Sequence, residues 1–582
     1  MDIFNVLELI CGLALFLYGM DAMGDALKKS AGSSLKTILG KMTSSPVKGF
    51  LLGLGVTAII QSSSATTVMV VGFVNSGTMT LLQSVGVIMG ANVGTAVTSW
   101  LTGLSGVGDA LRWLKPDSWM PLLAALGIIL IMFAKRGKKK DIGYILLGFA
   151  VLMVGMDMMS GSVSGLKNDP AFAEILLKFR NPILGVLAGL VLTVMVQSSS
   201  ASIGILQSLT ATGAITFGAA IPIIMGQNIG TCVTAVLSSL SANKNGKRAA
   251  LIHLYFNVIG MVVWLTVYSI VEALTPAIQE FAEGTIDMWG VAAIHTVFKL
   301  LSVAIIAPFY KLLEKLAVLT IKDSPEDDED KSSPLDERLL ITPAIAVERA
   351  TEVTGAMATV SAKALRNALS VFAEYDPKLA EKVRKQEGKA DNYEDSLSSY
   401  LIKVSESGVD EQDSKQISKL LHIIGDFERI SDHAVNIIES AEEITDKKIV
   451  FSEEANKELA VLSSAVLEIL NLTEAAFLEN DTEKASMVEP LEQVIDGLKS
   501  KIKRNHIRRL QNNECTIENG FILADILNNL ERVSDHCSNI AECVIEISER
   551  ELIDTHKHMR EVKSEDLGFE TKYKEYKGKY SI

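Results

Sequence analysis

The sequence is poor in cysteine and lacks the motifs of several enzyme classes. It has five cysteines in 582 residues, an odd number without a pairing pattern, which favours a reducing compartment for its soluble part. It contains no GxxxxGK[ST] phosphate-binding loop, no zinc signature and no Ser-His-Asp spacing. We therefore expect a protein that is not an enzyme, and we do not expect this chain alone to drive transport with ATP.

Charge is distributed unevenly along the chain. Residues 1–320 carry 21 Lys+Arg and 15 Asp+Glu, whereas residues 321–582 carry 34 and 54. With a mean hydropathy of +0.29 for the whole chain, this predicts an apolar, mildly basic first half and an acidic, soluble second half. No basic segment precedes the first apolar run, so we expect no cleaved signal peptide.

Apolar runs of the first half are long enough to cross a bilayer, which takes about 20 residues per helix. We predict crossings near 3–20, 79–100, 119–134, 142–160, 214–240, 249–272 and 289–311. The first half is therefore predicted to be a polytopic membrane domain made of helices.

The first half also repeats itself at a spacing of 136 residues without gaps. The segment QSSSA occurs at 61–65 and at 197–201, and the pattern GxNxGT occurs at 90–95 and at 226–231. Between residues 53 and 98, 18 of 46 positions are identical to their counterparts. Asp21 and Asp157 also repeat, and we expect them at helix ends as solvated structural carboxylates.

Each QSSSA segment interrupts an apolar stretch whose two halves, 10–12 residues each in the first copy, are too short to span the membrane. The stretch is either one crossing helix or a re-entrant hairpin. Hairpins at 49–75 and 183–211 put the basic loops 25–48, 135–140 and 244–248 on one side, as the positive-inside rule requires. We therefore predict hairpins, with the N-terminus outside and the soluble half in the cytoplasm.

Three crossings then separate the starts of the two repeats, so the repeats are predicted to be inverted. Inverted repeats with broken helices are typical of secondary transporters, whose substrate site lies near the midplane. We predict repeats at about 3–134 and 142–272 and an extra helix at 289–311 within a membrane domain of residues 1–320.

The hairpin tips are candidate anion sites. A second half-helix begins near Ser64 and near Ser200, and its free N–H groups and positive dipole end suit an anion. Serine hydroxyls add neutral donors and also oxygen atoms for a small cation. The predicted anion-binding residues are Gln61, Ser62, Ser63, Ser64, Ala65, Thr66, Gln197, Ser198, Ser199, Ser200, Ala201 and Ser202.

The GxNxGT segments are predicted to break the helices that follow the hairpins and to add oxygen ligands for a cation. The predicted cation ligands are Gln61, Ser64, Asn92, Thr95, Gln197, Ser200, Asn228 and Thr231. The alternative is that these serine, threonine and glycine residues only allow helices to pack closely in the membrane.

These duplicated QSSS and GxNxGT segments resemble the type II sodium–phosphate cotransporters, over roughly residues 1–312. The resemblance implies sodium-driven uptake of inorganic phosphate across the cytoplasmic membrane. It also implies that both tips contribute to the phosphate and sodium sites, with Na+ as the coupling ion.

Two later segments, ALIHLYFN at 250–257 and AAIHTVFK at 292–299, fit the same family with one departure. The second ends on Lys299, where the resemblance leads us to expect an asparagine like Asn257. A charge within an apolar run is costly. We treat Lys299 and Asn257 as coupling candidates, the Lys299 ammonium replacing a bound cation or pairing with the substrate. The alternative is a lysine that faces an aqueous cavity or extends to the interface.

The acidic half is predicted to be a linker at 321–338, a helical bundle at 339–560 and a tail at 561–582. The motif ERxSDHxxNI occurs at 428–437 and again at 531–540. Acids four residues apart on facing helices can hold metal ions, although they can also form a solvated face. The candidates are Glu387, Asp391, Glu428, Asp432, Glu492, Asp496, Glu531 and Asp535.

This duplicated motif resembles the PhoU family, over about 340–550. The resemblance implies paired three-helix bundles that regulate phosphate uptake and can bind divalent, iron or zinc ions. Expected partners are inorganic phosphate, sodium, the lipid bilayer, a second copy of the chain and phosphate-signalling proteins, but no nucleic acid. The alternatives are a symporter for another anion, such as a dicarboxylate or sulfate, and a transport-deficient regulator of phosphate signalling.

Overall fold

The computed structural model describes residues 3–41, 45–106, 116–134, 138–168, 178–322, 335–409, 411–548 and 567–582, together with residues 172 and 174. The chain divides into two compact units, residues 1–344 and 345–582. The described residues are almost entirely helical, which confirms the predicted all-α class. Most of the predicted linker, residues 323–334, lies outside the described residues.

The first unit begins with a long helix and two pairs of shorter ones. Its described helices are α1 (Ile3–Lys41), α2 (Pro46–Ile60), α3 (Ser63–Asn75), α4 (Leu81–Gly94), α5 (Ala96–Gly103), α6 (Pro116–Phe133), α7 (Lys138–Ser164), α8 (Pro182–Val196), α9 (Ser199–Thr210), α10 (Phe217–Gly230), α11 (Cys232–Ser239), α12 (Lys244–Leu274), α13 (Pro276–Glu283), α14 (Met288–Ile306) and α15 (Tyr310–Thr320).

The predicted crossings coincide with helices of this unit. Stretches long and apolar enough to cross a membrane are Ile3–Ser30, Leu81–Gly106, Lys138–Ser164, Phe217–Ser239, Lys244–Leu274 and Met288–Thr320. The remaining predicted crossing, near 119–134, corresponds to the shorter α6. Judged by length and composition alone, the helix Glu453–Glu479 of the second unit is also long and apolar enough to cross a membrane.

Helices α1 and α7, the first helices of the two repeats, cross each other in opposite directions. A Cβ atom on Gly12 would lie 2.9 Å from the carbonyl oxygen of Gly155, and one on Gly148 would lie 3.0 Å from that of Gly19. Gly12 and Gly148 are counterparts in the repeat, as are Gly19 and Gly155. The same contact is therefore made twice between antiparallel helices, which confirms the predicted inversion of the repeats.

Glycine also allows a close parallel contact between α2 and α4. A Cβ atom on Gly53 would overlap the carbonyl oxygen of Val87, and one on Gly90 would overlap that of Phe50. The second repeat makes the equivalent contact between α8 and α10, through Gly189 and Gly226. Small residues at helix contacts are a common means of close packing in membranes, and here they hold each first half-helix against the helix that follows its hairpin.

The second unit is a helical bundle with an internal repeat. Its described helices are α16 (Pro343–Ala373), which starts at the end of the first unit, then α17 (Pro377–Glu406), α18 (Glu411–Asp446), α19 (Glu453–Glu479), α20 (Thr482–Ser486), α21 (Val488–Gln511), α22 (Ile517–Ser548) and α23 (Leu567–Lys579).

The two ERxSDHxxNI motifs lie on α18 and α22, which face each other. A ring nitrogen of His433 is 2.9 Å from Asn529, and one of His536 is 2.8 Å from Asp426. These two bonds are related by the 103-residue spacing of the motif. The predicted tail contains α23, which is held to α19 by a bond of 2.6 Å from Lys579 to Glu468.

Candidate functional site: the two hairpin tips

The first QSSSA segment forms a turn between two half-helices. At 15 and 13 residues, α2 and α3 are each about 20 Å long, less than the ~30 Å hydrocarbon core. The turn is made at Gln61, whose φ of 59° is in the left-handed region. The hydroxyl of Thr57 donates to that of Thr66 at 3.0 Å. Residues nine apart meet only if the chain reverses, so the re-entrant hairpin is confirmed.

The second QSSSA segment has the same geometry. Gln197 also has a φ of 59°, and the hydroxyl of Thr193 donates to that of Ser202 at 2.8 Å. Each of these residues is 136 positions after its counterpart in the first hairpin. The repeated sequence therefore specifies a repeated turn, including a left-handed residue that is unusual for a side chain other than glycine or asparagine.

The start of each second half-helix is capped by the serine before it. The Ser62 hydroxyl accepts from the N–H of Ala65, and the Ser198 hydroxyl accepts from the N–H of Ala201, both at 3.2 Å. The N–H groups of Ser63 and Ser64, like those of their counterparts, have no acceptor within the helix. Each tip thus offers donors at the positive end of a helix dipole.

Both tips line one cavity of about 200 Å³, which we call the tip cavity. A cavity of this size exceeds by far the ~10–15 Å³ that one water needs. Its lining residues are Met20, Asp21, Gly24, Lys28, Ile60, Gln61, Ser62, Ser63, Ser64, Ala65, Gln197, Ser198, Ser199 and Ser200. The structure therefore brings nine of the twelve predicted anion-binding residues together.

The remaining three predicted residues support the turns instead of lining the tip cavity. Thr66 donates to the carbonyl of Ser62 at 3.0 Å, and Ser202 accepts from Thr193. The N–H of Ala201 is bonded to the Ser198 cap. Thr66 and Ser202 thus bond within their own hairpins, whereas the Ala201 side chain packs in an apolar cluster with Phe16 and Leu152.

The two glutamines of the tips differ in their surroundings. Gln61 is buried, and its Oε1 accepts from the hydroxyl of Thr98 on α5 at 2.9 Å. Gln197 is exposed, and its side chain donates to Val194 of its own helix. The counterpart of Thr98 is Thr234, which donates to its own helix at Thr231. The first tip is thus fixed to α5 by a cross-helix bond that the second tip does not share.

The GxNxGT segments coincide with helix breaks, as predicted. The breaks fall at Thr95, between α4 and α5, and at Thr231, between α10 and α11. Asn92 and Asn228 are buried and donate to carbonyls one turn earlier, at 3.0 and 2.8 Å. None of the four predicted cation ligands in these segments lines the tip cavity, so their role stays a prediction.

Lys299 is buried in α14 at 3% exposure. Among the described residues, no carboxylate lies within ion-pair distance of it. His253 is fully buried and neither of its ring nitrogens has a hydrogen-bond partner, while His295 contacts the hydroxyl of Ser99 at 3.1 Å. Asn257 is also buried and donates to the carbonyl of His253 at 2.9 Å. An uncompensated ammonium in such surroundings is costly.

Asp21 and Lys28 line the tip cavity although the sequence patterns did not indicate them. The expectation that Asp21 ends a helix is wrong, because α1 continues to Lys41 and Asp21 lines the tip cavity. The repeated Gly-Met-Asp at 19–21 and 155–157 was the available signal. It could not show which of the two aspartates faces the tips.

In the second unit, the structure gathers only part of the predicted acid set. Carboxylate oxygens of Glu492, Asp496 and Asp535 lie within 4.8 Å of one another. Burial and the neighbouring Glu531 raise the pKa of Asp496 and of Asp535 above the usual range. Glu531 itself is paired with Lys499 at 2.8 Å. Three converging acids that repel each other fit a cation.

The acids around the first copy of the motif do not converge in the way that those around the second copy do. Burial and the adjacent Asp432 raise the pKa of Glu428 to about 7, and burial raises the pKa of Glu387. Within the described part of the chain, Glu387, Asp391, Glu428 and Asp432 do not form a group of three converging ligand atoms.

Profiles of two families match the chain. That of the Na+/Pi-cotransporter family matches residues 15–161 and 167–282, and that of the PhoU domain matches residues 355–441 and 459–544. The chain is also similar to a crystal structure of the phosphate transport system regulatory protein PhoU from Streptococcus pneumoniae. That similarity covers 36% of this chain and 99% of the other, at 18% identity and a TM-score of 0.33.

Two of the following three curated relatives are named for the movement of phosphate. The chain is 26% identical to the candidate inorganic phosphate export protein YjbB of Salmonella typhimurium, over 93% of this chain and 98% of the relative. It is 32% identical to Uncharacterized protein YqeW of Bacillus subtilis, over 45% of this chain and 83% of the relative. Sodium-dependent phosphate transport protein 2A of Rattus norvegicus is 23% identical, over 43% of this chain and 59% of the relative.

Inverted repeats, two re-entrant tips and a shared cavity form an architecture typical of membrane transporters built from paired hairpins. With the matching profile and relatives, the chain belongs to the Na+/Pi-cotransporter family. Its second unit carries a pair of PhoU domains.

The bond between Thr98 and Gln61 gives a testable prediction. Thr98→Val keeps the shape of the side chain but removes the donor, which costs about 1 kcal/mol and releases the first tip. We expect phosphate to bind about fivefold more weakly, as measured by calorimetry on the purified protein. Thr234→Val is the matched control and should leave the affinity unchanged, because its hydroxyl bonds only to its own helix. Equal effects of both substitutions would contradict this role of Thr98.

Proposed function

We propose that this protein carries inorganic phosphate across the cytoplasmic membrane together with sodium, by alternating access around the tip cavity. The observation that carries the proposal is the meeting of both half-helix starts in one cavity. Eight serine and glutamine side chains and four helix-terminal N–H groups there suit a small oxyanion. Sodium is assigned to Gln61, Ser64 and their counterparts, and to the asparagines and threonines of the helix breaks.

Direction is the point on which two candidate functions differ. An inward sodium gradient would make a symporter import phosphate, with the basic loops and the second unit on the cytoplasmic side as the charges favour. A relative that matches over 93% of this chain is named for phosphate export, and this favours export as the second candidate. Import by sodium symport remains our proposal.

Lys299 supports a modified coupling within this proposal. Lys299 ends the segment AAIHTVFK at the position where Asn257 ends the similar segment ALIHLYFN. Both side chains are buried close to His253. An ammonium that stays with the protein would substitute for one bound cation in the loaded state. The protein would then need fewer sodium ions for each phosphate than a transporter with asparagine at both positions.

The second unit is proposed to regulate transport. Residues 335–341, which precede it, are attached to the end of α3: Asn75 donates to Asp336 at 2.6 Å. Arg338 donates to the carbonyl of Ser238 at 2.9 Å and to the hydroxyl of Ser241 at 2.8 Å. Movement of this segment would therefore reach the second half of the first hairpin. A second copy of the chain and phosphate-signalling proteins are further proposed partners.

We also propose that Glu492, Asp496 and Asp535 hold a divalent, iron or zinc ion. Their ligand atoms lie within 4.8 Å of one another, which suits a bound cation. Burial first, and then repulsion from neighbouring carboxylates, raise the pKa of both aspartates, and a cation would relieve that repulsion. When bound, the ion would crosslink α21 and α22. The acids of the first copy are proposed as a weaker site.

Proteoliposomes that contain the full-length protein test the transport proposal. With sodium outside and potassium inside, uptake of radiolabelled phosphate should be several-fold faster than with potassium on both sides. Reversal of the sodium gradient should reverse the net flux, because a symporter follows the summed gradient of its cargoes.

Flux that follows the phosphate gradient alone, irrespective of sodium, would contradict symport and favour the export candidate. Absence of phosphate flux under every gradient, from protein that still binds phosphate, would favour the regulator. Digestion of the second unit from outside the vesicles reports the orientation of the inserted protein.

In the same vesicles, Lys299→Asn should raise the number of sodium ions carried per phosphate, because a sodium ion must then replace the charge of the missing ammonium. The ratio of sodium to phosphate fluxes is the measurement. Lys311→Asn, at an exposed lysine of α15, is the control and should leave the ratio unchanged. An unchanged ratio in Lys299→Asn would eliminate the coupling role.

For the metal proposal, Glu492→Gln should weaken Mn²⁺ or Zn²⁺ binding at least tenfold by calorimetry, whereas Glu387→Gln should leave this site intact. Protons compete with the ion, so its affinity should decline as the pH falls through the raised pKa values of Asp496 and Asp535, at higher pH than for ordinary aspartates. If the bundle regulates transport, the ion should change the uptake rate of the wild type but not of Glu492→Gln. Equal binding by both variants and the wild type would refute the site.

A further inference from the structure

One face of α1 forms a wall of the tip cavity. Met20, Asp21, Gly24 and Lys28 are its contributors, at positions one to eight residues apart that share a helix face. Gly24 allows the close approach, because a Cβ atom there would lie 3.3 Å from the carbonyl oxygen of Ile60, directly before the first tip. The two charged residues on either side of Gly24 therefore border the space between the tips.

Asp21 differs chemically from every other side chain in this lining. Serine hydroxyls and glutamine amides can all donate hydrogen bonds, and the Lys28 ammonium only donates. An ionised carboxylate only accepts. A donor-rich site would bind any small oxyanion, so one carboxylate in its wall adds a requirement: the anion must present a hydrogen at that point or face an unpaired like charge.

Phosphate and sulfate differ in this respect. Both are tetrahedral and similar in size, but at neutral pH inorganic phosphate keeps at least one P–O–H hydrogen, whereas sulfate keeps none. A carboxylate can accept a hydrogen bond from the first, and it repels the second. Discrimination by a group that one ligand satisfies and another leaves unpaired is far stronger than discrimination by size.

We propose that Asp21 selects phosphate over fully deprotonated tetrahedral anions by accepting a hydrogen bond from the P–O–H group. This inference rests on the proposed function and names the specificity residue of the same site. It separates phosphate from sulfate, which the neutral donors of the tips do not by themselves distinguish.

Lys28 is the second charged residue of the lining. Its ammonium lies 2.9 Å from Asp25, which is not part of the lining. The repeat does not duplicate this arrangement. The counterparts of Asp21 and Lys28 on α7 are Asp157 and Ser164, and neither lines the tip cavity. The selecting group therefore belongs to α1 in this conformation.

Anion binding to the purified full-length protein tests the inference. Calorimetry at fixed, saturating sodium compares phosphate, arsenate and sulfate in the wild type and in Asp21→Asn, Asp21→Ser and Glu8→Gln. Glu8 is an exposed acid of the same helix outside the lining. The wild type should bind arsenate, which also keeps a hydrogen, nearly as well as phosphate, and sulfate about 100-fold more weakly. In Asp21→Asn, whose amide can donate a hydrogen bond, the ratio of phosphate affinity to sulfate affinity should fall at least tenfold. In Glu8→Gln this ratio should stay unchanged.

Each alternative result overturns a defined claim. The inference is overturned if both Asp21 variants bind phosphate with the same ratio of phosphate to sulfate affinity as the wild type. It is also overturned if the wild type binds the two anions equally well. Both results leave the proposed function intact. A higher sodium requirement in Asp21→Asn with unchanged anion preference would make Asp21 a sodium ligand instead. No phosphate binding by the folded wild type overturns the proposed function and this inference together. Asp21→Ser provides the test if the asparagine variant does not fold.

Discussion

Backbone N–H and C=O groups at a hairpin tip inside a bilayer have no water to bond with, and lipid cannot replace it. Such a tip persists only where protein or an aqueous cavity satisfies it. In this protein two tips meet this constraint together: each is capped by its own serine, and each opens its remaining donors to the same cavity. The donors that would be a cost in lipid thus face a cavity, which is why we propose the anion site there.

Close helix contacts hold the tips in that arrangement. Glycines let α1 cross α7 and let α2 and α8 lie against the helices that follow their hairpins. Because the α1–α7 contact relates the two repeats, the tips approach each other from opposite directions. Gly24 then brings α1 itself against the first tip. The close packing thus sets the width of the cavity and determines which side chains of α1 border it.

Much of the architecture could be predicted because it depends on local and periodic features. Loop charge distinguished hairpins from crossings, and the 136-residue repeat indicated inversion. Side-chain roles were harder to predict. The sequence pattern gave Asp21 and Asp157 the same interpretation, but Asp21 lines the tip cavity and Asp157 does not. Eight acids shared one pattern in the second half, but only Glu492, Asp496 and Asp535 converge, since small shifts between helices decide which carboxylates meet.

The sequence by itself determined the helices, the two polar turns, their repetition and the family, because these follow from hydrophobic period, turn chemistry and spacing along one chain. Tertiary structure decided where the two copies differ in their surroundings. Gln61 is fixed by Thr98 whereas Gln197 is exposed, although both stand in the same motif. The physical reason is that a repeat fixes local conformation, while burial and hydrogen-bond partners depend on how neighbouring helices are placed: Thr98 bonds across to Gln61, whereas its counterpart Thr234 bonds within its own helix.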